Sequence, residues 1–366
     1  MVKRVIIVGG GYAGTALARA LDKFAEVQLV DARDCFVHNV AAIRSVVDPS
    51  LLDRIVIPYD RLLRRGGVRQ GLVSDASSNG VTLANGDHID GDIIVVATGS
   101  HYANPFKPQG ESTQAFVDGV RAAHSALKNA NAIAIVGGGA VGTELAGEIS
   151  SAYPGKAVTL VSGSSSLVPG YSNKLADTLA AQLRNKGVSL RFSHRVEGLA
   201  AVDHPFTGSL GDDLGGAEQL VFPALGARPT TEVFRQMPGT SFDAQGRVEV
   251  DGWLRLAGFR NIFALGDAAA TGDPMTIVAI TRQVPWLAKT IAALLEGQKI
   301  ESLSPYKPWP TRGILVPLGP RDGASALPVL RNGLLVGRWL TSLLKGRELF
   351  IPRYLKEFGY AMGAKG

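Results

Sequence analysis

Two short glycine-rich turns constrain this chain more than any other feature. Each stands between an apolar, β-branched run and a helical stretch. The first is Gly9-Gly10-Gly11-Tyr12-Ala13-Gly14, after Arg4-Val5-Ile6-Ile7-Val8 and before Thr15-Ala16-Leu17. The second is Gly137-Gly138-Gly139-Ala140-Val141-Gly142, after Ala132-Ile133-Ala134-Ile135-Val136 and before a helix at 143–151. Such a pattern carries information only in the order strand, turn, helix, and both copies have that order. The first glycine allows the tight turn, the second lets the backbone approach a pyrophosphate, and the third lets helix and strand pack closely. The helix N-terminus then offers free N–H groups and a favourable dipole to phosphates. The first unit continues into a strand at 27–30 that ends in Asp31, placed to bind an adenosine ribose. The second continues into a strand at 157–161 that ends before Ser162. The repeat predicts two dinucleotide sites in one chain, the second lying between parts of the domain that holds the first.

The segments between the units fit that plan. Residues 92–97 form a continuous apolar run, the signature of a buried parallel strand, and end in Thr98-Gly99. A second apolar run at 261–265 ends in Gly266-Asp267. The Gly/Pro-rich stretch 99–110 reads as a hinge, 203–217 as turns and 246–251 as a short strand. Residues 275–296 read as a long helix with Pro285 as a kink or break. The third region, 301–366, is Pro-rich at first, with short strands near 312–318 and 327–331 and then helices.

Composition narrows the chemistry. With 46% hydrophobic and 19% charged residues, the chain reads as a compact globular protein. Its single cysteine, Cys35, excludes a disulfide framework, a two-cysteine redox centre and a multi-cysteine metal site. Cys35 itself reads as a small packed residue. The histidines are scattered singly and read as structural, with His38 the one whose loop should reach toward a cofactor.

The order of glycine turn, strand-Ala-Thr-Gly, glycine turn and strand-Gly-Asp resembles the two-dinucleotide flavoprotein reductases of glutathione reductase-like architecture. The resemblance implies an α/β fold with two Rossmann-type domains, the NAD(P)H domain inserted in the FAD domain, and a small α+β C-terminal domain. The expected boundaries are 1–108 with 248–300 for FAD, 109–247 for NAD(P)H and 301–366 for the C-terminal domain. It further implies that Gly9, Gly10, Gly11, Tyr12, Ala13, Gly14, Asp31, Thr98, Gly99, Gly266 and Asp267 bind FAD. Gly137, Gly139, Gly142 and Glu144 then face the nicotinamide cofactor.

Three stretches narrow the resemblance to the ferroptosis suppressor, or apoptosis-inducing-factor-like, proteins. They are residues 31–44, Arg69-Gln70-Gly71-Leu72-Val73, and the tail segments Tyr306-Lys307-Pro308, Gly319-Pro320-Arg321-Asp322-Gly323 and 344–350. This implies that Arg44 binds FAD at the phosphates and that the Val73 backbone meets the adenine. Lys345 and Phe350 would then lie near the flavin and a quinone pocket. Gln283, with Thr281 and Arg282, occupies the helix that borders the flavin in related type II NADH dehydrogenases.

The residues support the same chemistry by elimination. With one cysteine, electrons must pass from nicotinamide to flavin and directly to an external acceptor. The expected function is an FAD-dependent NAD(P)H:quinone oxidoreductase. The alternatives are a ferredoxin- or rubredoxin-type reductase and a redox-sensing flavoprotein. No acidic residue follows Val161 to select NADH, and no arginine is adjacent in sequence to hold a 2′-phosphate, so Ser162 permits NADH or NADPH.

The net charge of +6 is concentrated in residues 301–366, which hold ten Lys/Arg against four Asp/Glu. Apolar residues at 334–336, 339–340 and 343–344 recur at helical spacing among Arg338, Lys345 and Arg347. The tail therefore reads as a helix packed on the FAD domain or on a second subunit in a homodimer, or as an anionic-membrane contact. No nucleic-acid recognition motif is present. No apolar run is long enough to cross a membrane, and Val2 stands where N-myristoylation needs glycine. The expectation is a cytoplasmic protein that meets the membrane, where it does, at its cytoplasmic face.

Overall fold

The computed structural model describes residues 3–199, 201–211, 216–235, 237–329 and 333–360. The end of the expected strand at 327–331, and the chain beyond 360, lie outside those residues.

Two five-stranded sheets organise the molecule. The first runs in the order Ile262–Ala264, Ile93–Val96, Arg4–Val8, Glu26–Asp31, Gly67–Gln70, with every neighbour parallel. The second runs Ser189–Arg191, Ala157–Val161, Ala132–Val136, Gln219–Pro223, Phe206–Gly208, with only the last pair antiparallel. In each the glycine-flanked strand is central, so its side chains are covered on both faces and its sequence is apolar without alternation. Val5 and Ile7 enter one core with the helix Tyr12–Leu21, while Ile6 and Val8 enter another with Phe234 and Val248.

Both turns use their glycines in the same way. Gly9 has φ +106° and Gly137 φ +130°, a region that side-chain-bearing residues avoid. A Cβ added at Gly14 would collide with the Gly9 carbonyl oxygen, and one at Gly142 with the Gly137 carbonyl oxygen. Helix Tyr12–Leu21 can therefore press on its strand only through glycine.

The chain crosses between the sheets through a two-stranded link, Ser100–His101 against Arg228–Pro229. The third region is divided between the two bodies. Its antiparallel sheet, Ile314–Pro317, Gly323–Leu327 and Leu334–Val336, sends Ile314, Val316 and Leu318 into the second core. Its last helix, Ile351–Glu357, with Phe358 just beyond, sends Tyr354 and Phe358 into the first.

Four local readings differ from the sequence expectation. Within 203–217, read as turns, Phe206–Gly208 forms an edge strand, and the strand expected at 327–331 lies earlier, at Gly323–Leu327. Residues 246–251 make isolated bridges, such as Val248 with Ala269, instead of a strand. The helix Ile277–Leu295 runs unbroken through Pro285, because burial of Gln283, Val284, Leu287 and Ile291 holds it in place.

The glycine geometry predicts opposite results for two substitutions. Gly14→Ala should lower the unfolding free energy read from urea titration by on the order of 2–3 kcal/mol, because backbone must move. Gly11→Ala, whose Cβ would meet nothing within 4 Å, should leave the fold's stability within about 1 kcal/mol and weaken FAD binding.

Candidate functional site

A cavity of about 300 Å³ opens at the C-terminal ends of the first sheet's strands, where ligands settle in open α/β sheets. Its floor is Gly9, Gly11, Tyr12, Ala13 and Asp31. One side carries Thr98, Gly99, Gly266 and Asp267. The opposite wall is the start of the second glycine helix, Ala140, Val141 and Glu144, with Leu315, Lys345 and Phe350 of the tail. The first motif set, the start of the second glycine helix and the tail thus meet at one place, while Gly137, Gly139, Gly142 and Ser162 do not line this cavity.

At the phosphate end, Gly11 caps helix Tyr12–Leu21 without a side-chain bond and no acid occupies its first turn. The space before it is open. The same holds at Gly139, which caps Ala140–Ala152. Unpaired N–H groups facing open space form a cradle that fits phosphates. Asp31 is buried; its Oδ2 accepts the Gly10 N–H at 2.5 Å and its Oδ1 the Arg33 N–H at 2.8 Å. Tyr59 donates its hydroxyl to the Gly10 carbonyl at 2.9 Å, fixing the turn from behind. The donors and open backbone fit FAD at the first unit and NAD(P)H at the second.

Across the cavity, Ser100 donates to Asp267 Oδ2 at 2.6 Å, and Lys107 donates to Ser100 Oγ at 2.5 Å and lies 3.5 Å from Asp267. Ser100 and Lys107 were not legible as site residues; they sit in the hinge and reach the Gly-Asp turn only through the fold. Thr98 donates to the Thr230 carbonyl at 2.6 Å, and Gly99 accepts the Thr230 N–H at 3.0 Å, which fixes the strand end.

The innermost polar pair is Glu144 with Lys345. Lys345 Nζ donates to Glu144 Oε1 at 2.7 Å and to the Leu315 carbonyl at 3.1 Å. Glu144 is 4% and Lys345 9% exposed. Burial pushes the Glu144 carboxyl above the usual range, and the neighbouring ammonium opposes that shift. One turn further along the same helix, Glu148 accepts two bonds from one edge of the Arg44 guanidinium, from Nε at 2.9 Å and Nη2 at 2.8 Å. Arg44 also donates to the Arg347 carbonyl at 3.2 Å. The Arg44 side chain therefore clasps the second glycine helix and the tail, and it is not part of the cavity wall. Val73 stands at the start of the strand Val73–Ser77, also away from that wall.

Gln283 is buried beside the Gly-Asp turn, not in the cavity. Its Oε1 accepts the Gly266 N–H at 2.8 Å, and its Nε2 donates to Thr271 Oγ1 at 2.9 Å and Asp273 Oδ2 at 3.0 Å. It acts on the cavity by holding Gly266.

His38 is fully buried between the first unit and the tail. Its Nε2 lies 2.6 Å from the Leu349 carbonyl, which can only accept, so Nε2 carries the proton. Nδ1 then accepts the Tyr12 hydroxyl at 2.9 Å, and that oxygen accepts the Val40 N–H at 3.0 Å. The bond holds a turn in which Leu349 and Phe350 both adopt left-handed conformations, φ +50° and +63°. Phe350 reaches the cavity from this turn.

Cys35 is half-buried and outside the cavity wall; burial first, then the Asp34 carboxylate, push its thiol up to about 11. Among the described residues no cluster of His, Cys, Asp and Glu fits a metal ion.

The sequence profile described as pyridine nucleotide-disulphide oxidoreductase matches residues 3–284. The chain is 30% identical to human "Ferroptosis suppressor protein 1", over 95% of this chain and 93% of that one. It is 30% identical to "Apoptosis-inducing factor homolog A" of Dictyostelium discoideum, over 97% and 92%. Among solved structures it resembles the sulfide:quinone oxidoreductase of Aquifex aeolicus, with a TM-score of 0.75 at 16% identity, covering 97% of this chain and 91% of that one. It also resembles NDH2 of Plasmodium falciparum in complex with NADH, with a TM-score of 0.71 at 14% identity, covering 98% of each. At these identities the structures speak to fold alone.

Burial pushes His38 down to about 4 from its ordinary 6.5. Above pH 6.5 the imidazole is neutral in folded and unfolded chains, and its bonds stabilise the fold in full. As pH falls from 6.5 toward 4 the unfolded chain takes up the proton that the folded chain refuses. Stability should fall by up to about 3 kcal/mol over that range. Urea midpoints measured against pH should show this slope in the wild type and lose it in His38→Gln.

Proposed function

The chain belongs to the pyridine nucleotide-disulphide oxidoreductase family, as an oxidoreductase that uses FAD and NAD(P)H, and from that premise we propose that it passes electrons to a quinone. The observation that carries this reading is the composition of the cavity's outer wall. Met275, Ile277, Val278, Ile280, Ile314, Leu315 and Phe350 make part of the lining apolar, and the buried Lys345 is set beside them, with Arg33 and Lys107 the other cations of the cavity. The chain's one thiol is elsewhere, so no cysteine pair relays electrons. Bound FAD supplies the two-electron relay between nicotinamide and acceptor.

The chain's own groups divide the remaining work. Lys345 has three N–H donors. One is on Glu144 and one on Leu315. The third is available to a carbonyl oxygen of a planar head group, where it would stabilise charge that develops on reduction. Phe350 offers that head group a ring to pack on. Glu144 keeps the lysine aimed.

The tail supports a membrane-resident acceptor. Trp339 is 68% and Leu343 52% exposed, with Leu334 and Leu344 also outward and Arg338 and Arg347 exposed beside them. Among the described residues no helix is long and apolar enough to cross a membrane. This patch fits contact with an anionic lipid surface, apolar side chains inserted and cations at the head groups.

Two experiments test the reading. Anaerobic reduction of the yellow protein by NADH or NADPH, followed by mixing with ubiquinone and menaquinone analogues, should return the oxidised spectrum. Reoxidation by a low-potential iron–sulfur protein but by no quinone would replace this function with a protein-reductase one. Lys345→Met alone strands the Glu144 carboxylate and should destabilise by about 3–5 kcal/mol. The pair Glu144→Gln with Lys345→Met should fold and be slowed roughly a hundredfold in quinone reduction, the loss typical of one oriented donor.

Membrane contact is read separately. Trp339→Ser with Leu343→Ser should abolish co-sedimentation with anionic vesicles. These exposed positions spare the core, unlike truncation, which would remove Tyr354 and Phe358.

A further inference from the structure

The two glycine units share one pattern of backbone bonding. Gly9 N–H donates to the Val30 carbonyl and Gly137 N–H to the Val161 carbonyl, each at 2.8 Å. Ser162 is therefore the counterpart of Asp31. Arg33 N–H donates to Asp31 Oδ1 at 2.8 Å, and Ser164 N–H donates to Ser162 Oγ at 3.2 Å. Gly71 N–H donates to the Asp31 carbonyl at 2.8 Å, and His194 N–H to the Ser162 carbonyl at 3.0 Å. Where the first unit holds a carboxylate for the ribose hydroxyls, the second holds a neutral hydroxyl, 3% exposed. A carboxylate there accepts the 2′-hydroxyl and repels a 2′-phosphate; a hydroxyl has no charge to repel it.

The neighbouring strand brings two arginines of the chain beside the same place. Ser189–Arg191 runs parallel to Ala157–Val161, with Arg191 opposite Val161. The chain then turns back over the rim of the site. Ser193, at φ +53°, donates its N–H to the Ser164 carbonyl at 3.0 Å, next to the His194 bond to Ser162. Residues 191–195 are thus fastened to the loop 162–166. Arg191 and Arg195 stand at the two ends of that fastening, both exposed. Neither 162–170 nor 188–196 contains an acidic residue. The sequence hides this arrangement, because the arginines follow the next strand and not the one that ends at the ribose.

We propose that NADPH is the preferred reductant, its 2′-phosphate held by Arg191 and Arg195 together with the serine hydroxyls at 164–166. The guanidinium fork matches phosphate geometry and stays charged at any working pH. The proposal rests on the second unit as the nicotinamide nucleotide site and is independent of the acceptor.

The test is therefore flavin reduction alone, followed anaerobically by stopped flow with no acceptor present. The quantity read is the ratio of second-order reduction rates, NADPH over NADH. It should exceed roughly ten in the wild type, the factor given by one charge-assisted bond. Arg191→Ala and Arg195→Ala should each lower the ratio several-fold, and together bring it near one. Ser162→Asp should invert it. A wild-type ratio at or below one overturns the proposal, as does a ratio that neither arginine variant changes. The ratio is internal to each preparation, so partial loss of folded protein does not move it. Failure of quinones to reoxidise the flavin leaves it untouched.

Discussion

Glu144 and Glu148 lie one turn apart on the buried side of a single helix, and the arrangement of the rest depends on how they are paired. An isolated carboxylate in such a place would be untenable, so each needs a cation within hydrogen-bond distance. Neither cation comes from the helix's own domain. Lys345 arrives from the tail and Arg44 from the first domain, and Arg44 also binds the tail backbone at Arg347. The second glycine helix is thereby fixed against two other segments. Withdrawing either cation would cost more than the contact itself, because the carboxylate would be left buried and unpaired. The two ion pairs fix the spacing between the two glycine cradles and the tail.

That spacing brings the start of the second glycine helix into the cavity of the first unit. Each glycine turn alone would bind a dinucleotide at the edge of its own sheet. The link of Ser100–His101 with Arg228–Pro229 and the paired carboxylates bring the start of Ala140–Ala152 to the first sheet, so Glu144 and Asp31 line the same cavity. His38 completes the closure from the other side. It is neutral, doubly bonded and buried, and it holds a turn with two successive left-handed residues that would not persist without such anchoring.

The parts legible in the sequence are those written in local pattern. The central strands are apolar because both faces are covered, and the glycines recur because backbone meets backbone at Gly9 and Gly14. Gly266-Asp267 was legible because a strand end and a turn are contiguous. What was not legible depends on partners far apart in the chain. Arg44 has a charge and an apolar neighbourhood in sequence, but Glu148 as its partner exists only in three dimensions. Gln283 looks like a polar residue on a helix, and only the fold shows it holding the Gly266 N–H. Lys107 lies in a stretch that reads as a hinge, yet its ammonium reaches Ser100 beside Asp267. Ser162 looked permissive because no arginine is adjacent in sequence, while strand pairing brings residues 191–195 beside it.

The tail applies the same logic to a short stretch. Leu343 and Leu344 face outward, and Lys345, the next residue, faces the cavity and Glu144. The stretch Ser342–Gly346 forms a π-helical turn, a feature frequent at functional sites. Four residues later the chain turns sharply at Leu349 and Phe350 and returns Phe350 to the same cavity. A surface that suits lipid and a group that suits a quinone carbonyl are thus consecutive in the backbone. Anything that moved the turn to bury Leu343 and Leu344 would pull Lys345 off Glu144. The buried carboxylate opposes that movement, so the exposed apolar patch follows from the position of the lysine. On the proposed reading, an acceptor with a lipid tail meets the donor where the chain passes from the membrane-facing surface to the cavity.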